Sequence, residues 1–158
     1  MRKTAIGSTL LGFTIAAALF GAAAAEQAGD TLSGTATAQS GDSLRLGGRL
    51  LRLWGIRASE APAPLGRESA DALAQILSGG KVTCEVVGQG EEPSLAVCRI
   101  GESDVATELI RQGWAGVTKA QADRRLRLDL VKRYDYTQIR ARNECRGLWQ
   151  ALERCRQK

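Results

Sequence analysis

Alternating apolar and polar residues mark the region that follows residue 30. Leu44-Arg45-Leu46 and Leu51-Arg52-Leu53-Trp54 both alternate, and Gly47-Gly48 lies between them. Alternation is typical of half-buried β-strands, and two adjacent glycines permit the positive φ angles of a tight hairpin turn. The region from Thr31 to Ala58 is therefore predicted to form three strands.

Three later segments carry the apolar spacing of helices. The first is predicted over Arg67–Leu77. The second is predicted to begin after Asp104, a residue type that caps helix N-termini, and to end at Gly113. The third spans about 122–144 and surrounds an apolar stripe with arginine and lysine. Such a basic run is typical of a solvated helix face, and a binding surface is the alternative.

Two further strand-like runs lie between the first two helices, over 82–87 and 95–100. The predicted order is therefore three strands, a helix, two strands and two more helices. This order is compatible with a small closed barrel of the OB type, although other α+β folds share it.

The N-terminus has the pattern of a secretory signal peptide. Met1-Arg2-Lys3 is a short positive start, and an apolar stretch from Leu10 to Ala25 ends in four alanines. Small residues at this end predict cleavage just before Glu26, and therefore a periplasmic or secreted protein. An uncleaved membrane anchor is the alternative, but the Ala-rich stretch is weak as a spanning helix. We expect a signal peptide over residues 1–25, a single domain over residues 26–158, and no stable membrane span after cleavage.

Composition and charge narrow the possible chemistry. The chain of 158 residues is 44% hydrophobic and 25% charged, which is typical of a soluble globular protein. Its formal net charge of +5 falls by two when Arg2 and Lys3 leave, and the remaining positive charge suits an anionic partner. The absence of histidine excludes Ser-His-Asp and Cys-His catalysis and mixed Cys/His zinc sites.

The four cysteines suggest disulfides in an exported protein. Cys84 and Cys98 lie in the two strand-like runs joined by a polar loop, so a cross-strand bridge is predicted. Cys145 would then pair with Cys155, closing a small loop, or with another chain. A four-cysteine zinc site is a further alternative, but it needs closely spaced cysteine pairs that the chain lacks.

Four short stretches follow one another in a characteristic order: Ser40–Leu44, Leu51–Glu60, Asp104–Ala115 and Ala141–Trp149. Together they resemble the staphylococcal nuclease (thermonuclease) family. The first resembles its Asp-Gly-Asp-Thr turn, the second its Arg-Leu-x-Gly-Ile-Asp-Ala-Pro-Glu run, the third the helix before its long loop, and the fourth its C-terminal signature. The resemblance implies an α+β fold, an OB-fold five-stranded β-barrel with three α-helices. It also implies descent from a calcium-dependent phosphodiesterase that acts on DNA and RNA.

The resemblance assigns roles to three residues. Asp42 matches the first metal-binding aspartate, Arg52 the first phosphate-binding arginine, and Glu60 the glutamate assigned to the attacking water. In such a site calcium, held by oxygen ligands, neutralises the phosphate, and arginines stabilise charge in the transition state. The ordinary alternatives are a turn aspartate, a strand arginine and a loop carboxylate.

Other positions depart from the family. Arg57 stands where the family has its second metal-binding aspartate, so calcium would lose an oxygen ligand and gain a repelling neighbour. Pro93 stands in place of the second phosphate-binding arginine, a loss that typically costs ~100- to 1000-fold in rate. Two acidic residues, Glu91 and Glu92, precede it, and Lys119 and Gln121 replace the family's base-contacting tyrosines.

These departures predict an exported, catalytically degenerate domain that binds single-stranded nucleic acid, another anionic ligand or a partner. The first alternative is an active phosphodiesterase that uses calcium, and the second is a structural partner-binding protein with no anionic ligand. Compensating arginines for the active alternative are Arg45, Arg49 and Arg99. A sharper hypothesis is that the Arg57 guanidinium occupies the calcium position, paired with Asp42 and Glu60; otherwise Arg57 points into solvent.

Overall fold

The computed structural model describes residues 30–87, 93–118 and 127–156. Several predictions lie outside these described residues: the signal peptide, Glu91, Glu92, Lys119, Gln121 and the start of the third helix over 122–126. Among the described residues, no helix combines the length and the apolar character needed to cross a membrane.

The described part of the chain forms nine strands and three main helices. The strands are β1 (Thr31–Gly34), β2 (Ala36–Ala38), β3 (Ser43–Leu46), β4 (Arg49–Leu53), β5 (Ile56–Ala58), β6 (Val82–Val86), β7 (Ser94–Ile100), β8 (Ser103–Asp104) and β9 (Ala115–Val117). The helices are α1 (Gly66–Leu77), α2 (Val105–Gln112) and α3 (Leu128–Asn143), followed by a 3₁₀ turn (Gly147–Ala151) and a short α4 (Glu153–Arg156).

The main sheet closes into a barrel through its first strand. The strand order is β1-β6-β7-β4-β3-β2, and β8 pairs with β7. Because β1 and β2 are separated by one residue, they act as one strand that pairs with β6 at one end and with β3 at the other. The β4–β7 pair is parallel and the other barrel pairs are antiparallel. Five strands therefore form the barrel, which confirms the predicted α+β fold of the OB type.

The predicted hairpin with a turn at Gly47-Gly48 is present. β3 and β4 pair with Leu46 opposite Arg49, and Gly47 and Gly48 between them have φ angles of 58° and 82°. Two central residues with positive φ form the turn that matches strand twist.

Each cysteine is in a disulfide among the described residues, so the zinc site and the pairing with another chain are excluded. Cys84 lies opposite Cys98 in the β6–β7 pair, and the two are bonded. The second bond joins Cys145 to Cys155.

The helices pack against the barrel and bury part of their apolar residues in its core. The predicted start of α1 at Arg67 is one residue late, and the predicted cap of α2 is confirmed because Asp104 accepts a hydrogen bond from the Thr107 amide at 2.7 Å. Gly113 ends α2 in the left-handed conformation. In α3 the buried residues are Leu130, Tyr134 and Ala141.

The pairing of β5 with β9 was not predicted. Ala58 lies opposite Ala115 and Arg57 lies opposite Gly116, so this small two-stranded sheet fixes the backbone that carries Arg57. A strand of three residues is too short to show a clear alternation, which is why the apolar pattern did not reveal β9.

Candidate anion-binding site

The side chain of Asp42 lies at the centre of the candidate site and is fully buried. Its Oδ1 accepts hydrogen bonds from the hydroxyls of Ser43 at 3.0 Å and Ser40 at 3.2 Å. Its Oδ2 accepts one from the backbone amide of Ala58 at 3.3 Å. A buried carboxylate needs such donors because it has lost its hydration.

A close approach of three elements holds the turn that carries Asp42. A Cβ atom at Gly41 would lie 2.5 Å from the Ser69 Cβ and 2.7 Å from the Ala58 Cβ. Only glycine therefore lets the turn pack between α1 and β5. The carbonyl of Asp42 also accepts a hydrogen bond from the Leu53 amide at 2.8 Å, which ties the turn to β4.

Arg52 bridges the buried carboxylate and an exposed one. It lies on β4 opposite Ser43, and its Nε is 3.8 Å from Asp42 Oδ1 and 3.5 Å from the Ser43 hydroxyl. Its Nη2 is 3.8 Å from Oε1 of Glu60. The Arg52 side chain is 28% exposed and that of Glu60 is 49% exposed, so this pair faces the surface.

Arg57 approaches the other oxygen of the same carboxylate. Its Nε lies 3.8 Å from Asp42 Oδ2, and its side chain is 56% exposed. Between these described residues there is no ion pair joining Arg57 to Glu60, whose cationic partner is Arg52. The hypothesis that Arg57 pairs with both carboxylates is thus met for Asp42 and not for Glu60. The alternative that Arg57 points away into solvent is met only for the outer part of its side chain.

The residues around Asp42 do not fit a calcium ion. Calcium takes 6–8 oxygen ligands, mainly carboxylates and carbonyls. Both Asp42 oxygens already accept hydrogen bonds and face guanidinium groups. Across the described residues, no three His, Cys, Asp or Glu side chains are grouped as metal ligands would be. A cation introduced beside Asp42 would meet two guanidinium groups, a carboxylate that they already shield, and only one further carboxylate, that of Glu60, which pairs with Arg52.

Two of the arginines considered as compensating groups are engaged elsewhere. Arg45 donates to the carbonyl of Gly48 at 2.9 Å in the hairpin, and Arg49 pairs with Asp30. Arg99 is exposed on β7. Pro93, which the resemblance aligns with the family's second phosphate-binding arginine, lies directly before β7 and carries no charge.

The structure is a closed OB-type barrel, an architecture that commonly binds oligonucleotides or oligosaccharides, and it brings Asp42, Arg52 and Glu60 together. A family model described as staphylococcal nuclease homologue matches residues 50–151. The chain therefore belongs to the staphylococcal nuclease family. That match includes Arg52, Arg57 and Glu60 and begins after Asp42. No curated protein sequence matched the chain. Members of this family are in general calcium-dependent and bind nucleic acid, and the domain described here is nuclease-like in fold.

Sequence reasoning missed the donors that hold Asp42. The hydroxyls of Ser40 and Ser43 and the amide of Ala58 were not singled out. The hairpin register contained part of the information, because a turn at Gly47-Gly48 places Ser43 opposite Arg52. The contribution of Ala58 was not visible, since it depends on the packing of β5 against the turn.

Proposed function

We propose that this protein is an exported binding domain that holds a phosphate of single-stranded nucleic acid, or of a similar anionic ligand, between Arg52 and Arg57. It does so without calcium and without cutting the chain. The observation that carries this proposal is the contact of 3.8 Å between Arg57 Nε and Asp42 Oδ2. It puts a permanent positive charge beside the carboxylate that the resemblance assigns to the family's metal.

The placement of the charges supports anion binding. Asp42 is buried behind the two arginines, and its charge is balanced by their guanidinium groups and by three hydrogen-bond donors. The outer edges of Arg52 and Arg57 remain exposed. Guanidinium groups bind phosphate with paired donors, and an incoming phosphate would meet them before it met the buried carboxylate.

The same residues argue against efficient cleavage. Hydrolysis of a phosphodiester needs charge stabilisation that is stronger in the transition state than in the bound state. Here the second phosphate-binding arginine is replaced by Pro93, and the metal position faces Arg57. If each of the two losses costs ~100- to 1000-fold in rate, an ordinary turnover of ~10 per second would fall to ~0.001 per second or less.

One observation favours the second candidate, an active phosphodiesterase. Asp42, Arg52 and Glu60 lie together, with Arg52 within 3.8 Å of both carboxylates. A carboxylate and an arginine placed in this way could orient a water molecule and a phosphate.

Export is part of the proposal. Two disulfides in a chain of this size are typical of an oxidising compartment, which supports a signal peptide over residues 1–25 and a periplasmic or secreted domain over residues 26–158. Intact-mass measurement of the protein from the periplasm tests it. A mass that includes the first residues would contradict cleavage before Glu26.

The test of function measures binding and cleavage on the same samples. Fluorescence anisotropy of a labelled oligothymidylate would be followed against salt concentration for the wild type, Arg52→Gln and Arg57→Gln. Arg45→Gln is the matched control, because it removes the same charge from the hairpin, where Arg45 contacts the Gly48 carbonyl. We expect each of the two site variants to weaken binding and to reduce the salt slope by ~1, whereas the control changes little.

The oligonucleotide should stay intact in calcium and in chelator alike. Cleavage that calcium supports and the chelator stops would establish the second candidate instead. Binding that neither site variant weakens would refute the phosphate site.

A further inference from the structure

A groove between α2 and α3 lies outside the Asp42 site. Its cavity has a volume of about 180 Å³, and its walls include Arg111 from α2, Tyr136 and Arg140 from α3, and Arg146 from the segment that follows α3. We refer to it as the α2–α3 groove. Because α2 packs against α3, most of the groove wall lies on these two helices, and Glu144 and Arg146 extend it on the segment after α3.

The groove brings three guanidinium groups together with one carboxylate. Glu144 lies 2.7 Å from Nη2 of Arg146 and 3.2 Å from Nη2 of Arg140, so it is shared by two cations. Arg111 is held in place by Glu108, to which its Nε donates at 2.8 Å. Even with Glu108 included, three cations face two carboxylates, and one positive charge is left for a ligand.

The wall of the α2–α3 groove also includes an exposed aromatic ring, that of Tyr136. The Tyr136 side chain is 64% exposed, and within the described residues it makes no hydrogen bond or ring contact. Tyr136 and Arg140 are four residues apart on α3, so their side chains are neighbours on the helix surface. A free ring beside guanidinium groups has the composition of a single-stranded nucleic-acid site, in which bases stack on aromatics and cations follow the backbone.

We propose that the α2–α3 groove is a second binding site for single-stranded nucleic acid, in which Arg140 and Arg146 contact a phosphate and Tyr136 stacks on the adjacent base. This site involves none of the residues around Asp42. It therefore stands or fails independently of the phosphate site proposed above. Thr137 adds a hydroxyl to the wall of the groove, and hydroxyls are common phosphate contacts.

The shape of the groove favours nucleic acid over an anionic membrane surface. Leu128 and Ile139 are also exposed on α3, at 54% and 56%, and apolar residues with cations can mark a helix that lies on lipid. Lipid contact, however, needs an outward-facing apolar surface with cations at its edges. Here the arginines line a depression, which an extended phosphodiester chain can enter and a bilayer surface cannot.

The experiment measures oligothymidylate binding in the full mature protein by anisotropy. The test variants are Tyr136→Ala and Arg140→Gln, and Tyr136→Phe is the conservative variant that keeps the ring. Lys132→Gln and Ile139→Ala are the controls, because they alter exposed α3 positions outside the groove. Thermal unfolding of each variant checks that the fold is unchanged, as expected for exposed positions.

We expect Tyr136→Ala to weaken oligothymidylate binding about tenfold, Tyr136→Phe to bind about as tightly as the wild type, and the controls to have little effect. The same loss should occur in a protein that already carries Arg52→Gln and Arg57→Gln, which separates this site from the phosphate site. Unchanged affinity in both Tyr136→Ala and Arg140→Gln would overturn the proposal. The face would be assigned to membranes instead by two results together. The protein would bind phosphatidylglycerol vesicles in a way that Ile139→Ala abolishes, and Tyr136→Ala would bind the oligonucleotide as well as the wild type does.

Discussion

Replacing Asp42 with asparagine distinguishes an ion-paired site from a metal site by stability alone. In a metal site several carboxylates are crowded together, so neutralising one of them relieves repulsion in the metal-free protein. The Asp42 carboxylate instead faces Arg52 and Arg57, each with an Nε atom 3.8 Å away. Asp42→Asn therefore removes attraction, and we expect the protein to become less stable.

The size of the effect follows from the contacts of Asp42. Hydrogen bonds to a charged acceptor contribute ~1.5–3 kcal/mol each, and asparagine keeps only part of the three that Asp42 accepts. The two guanidinium groups are 28% and 56% exposed, so each ion pair adds ~1 kcal/mol or less. Together these contributions predict a loss of ~3 kcal/mol in the free energy of unfolding, near the lower end for a broken buried ion pair.

The assay is urea unfolding in the presence of chelator, followed by tryptophan fluorescence. Trp54 is only 3% exposed and lies one residue after β4, so its emission reports on unfolding of the barrel. Asp71→Asn on the exposed side of α1 is the matched control, with an expected change within ~0.5 kcal/mol. An Asp42→Asn protein as stable as the wild type, or more stable, would refute the ion-paired description of the site.

Two further predictions concern the core and a helix end. Burial, and after it the nearby Asp104 carboxylate, raise the pKa of Tyr134, whose hydroxyl donates to Asp104 Oδ2 at 3.3 Å. Because the pKa of Tyr134 is raised in the folded protein, the stabilisation by its protonated hydroxyl is complete below the unfolded-state pKa of ~10 and is lost as the pH rises above that value. In urea unfolding, Tyr134→Phe should lower the free energy of unfolding by ~1 kcal/mol at neutral pH and should make its decrease at alkaline pH less steep than in the wild type. A decrease as steep as that of the wild type would contradict this. Gly113 has a φ of 82°, and a Cβ there would lie 2.3 Å from the Arg146 carbonyl oxygen, whereas Gly101 has a φ of 56° and open space around it. Gly113→Ala should therefore lower the melting temperature clearly more than Gly101→Ala, which costs only the ~1 kcal/mol of the left-handed conformation, and equal costs would contradict the close approach.

The barrel and its helices were largely predictable because their sequences repeat a clear period. β3 and β4 alternate over several residues around two glycines, and α1 and α2 have apolar faces with recognisable ends. β5 and β9 escaped prediction because three-residue strands have almost no period of their own. Their pairing depends instead on where α2 ends, since β9 follows Gly113 almost directly.

The candidate site was predictable in its residues but not in its pairing. The motif order identified Asp42, Arg52 and Glu60, and it identified Arg57 as the departure from the family. Which arginine reaches Glu60 could not be predicted, because it depends on side-chain direction at the end of β4 and after β5. The structure pairs Glu60 with Arg52, and it leaves the outer part of Arg57 open to solvent.

Whether Arg57 has taken the place of a metal ligand is tested most directly by the effect of calcium on thermal unfolding. The melting temperatures of the wild type and of Arg57→Asp would be compared in chelator and in millimolar calcium. A ligand that binds only the folded protein stabilises it by ~2.7 kcal/mol at a concentration of about 100 times its Kd. We predict no shift for the wild type and a calcium-dependent rise for Arg57→Asp, in which an oxygen ligand replaces the cation beside Asp42. A calcium-dependent rise in the melting temperature of the wild type would contradict the metal-free site. A melting temperature of Arg57→Asp that calcium does not change would contradict the position assigned to Arg57.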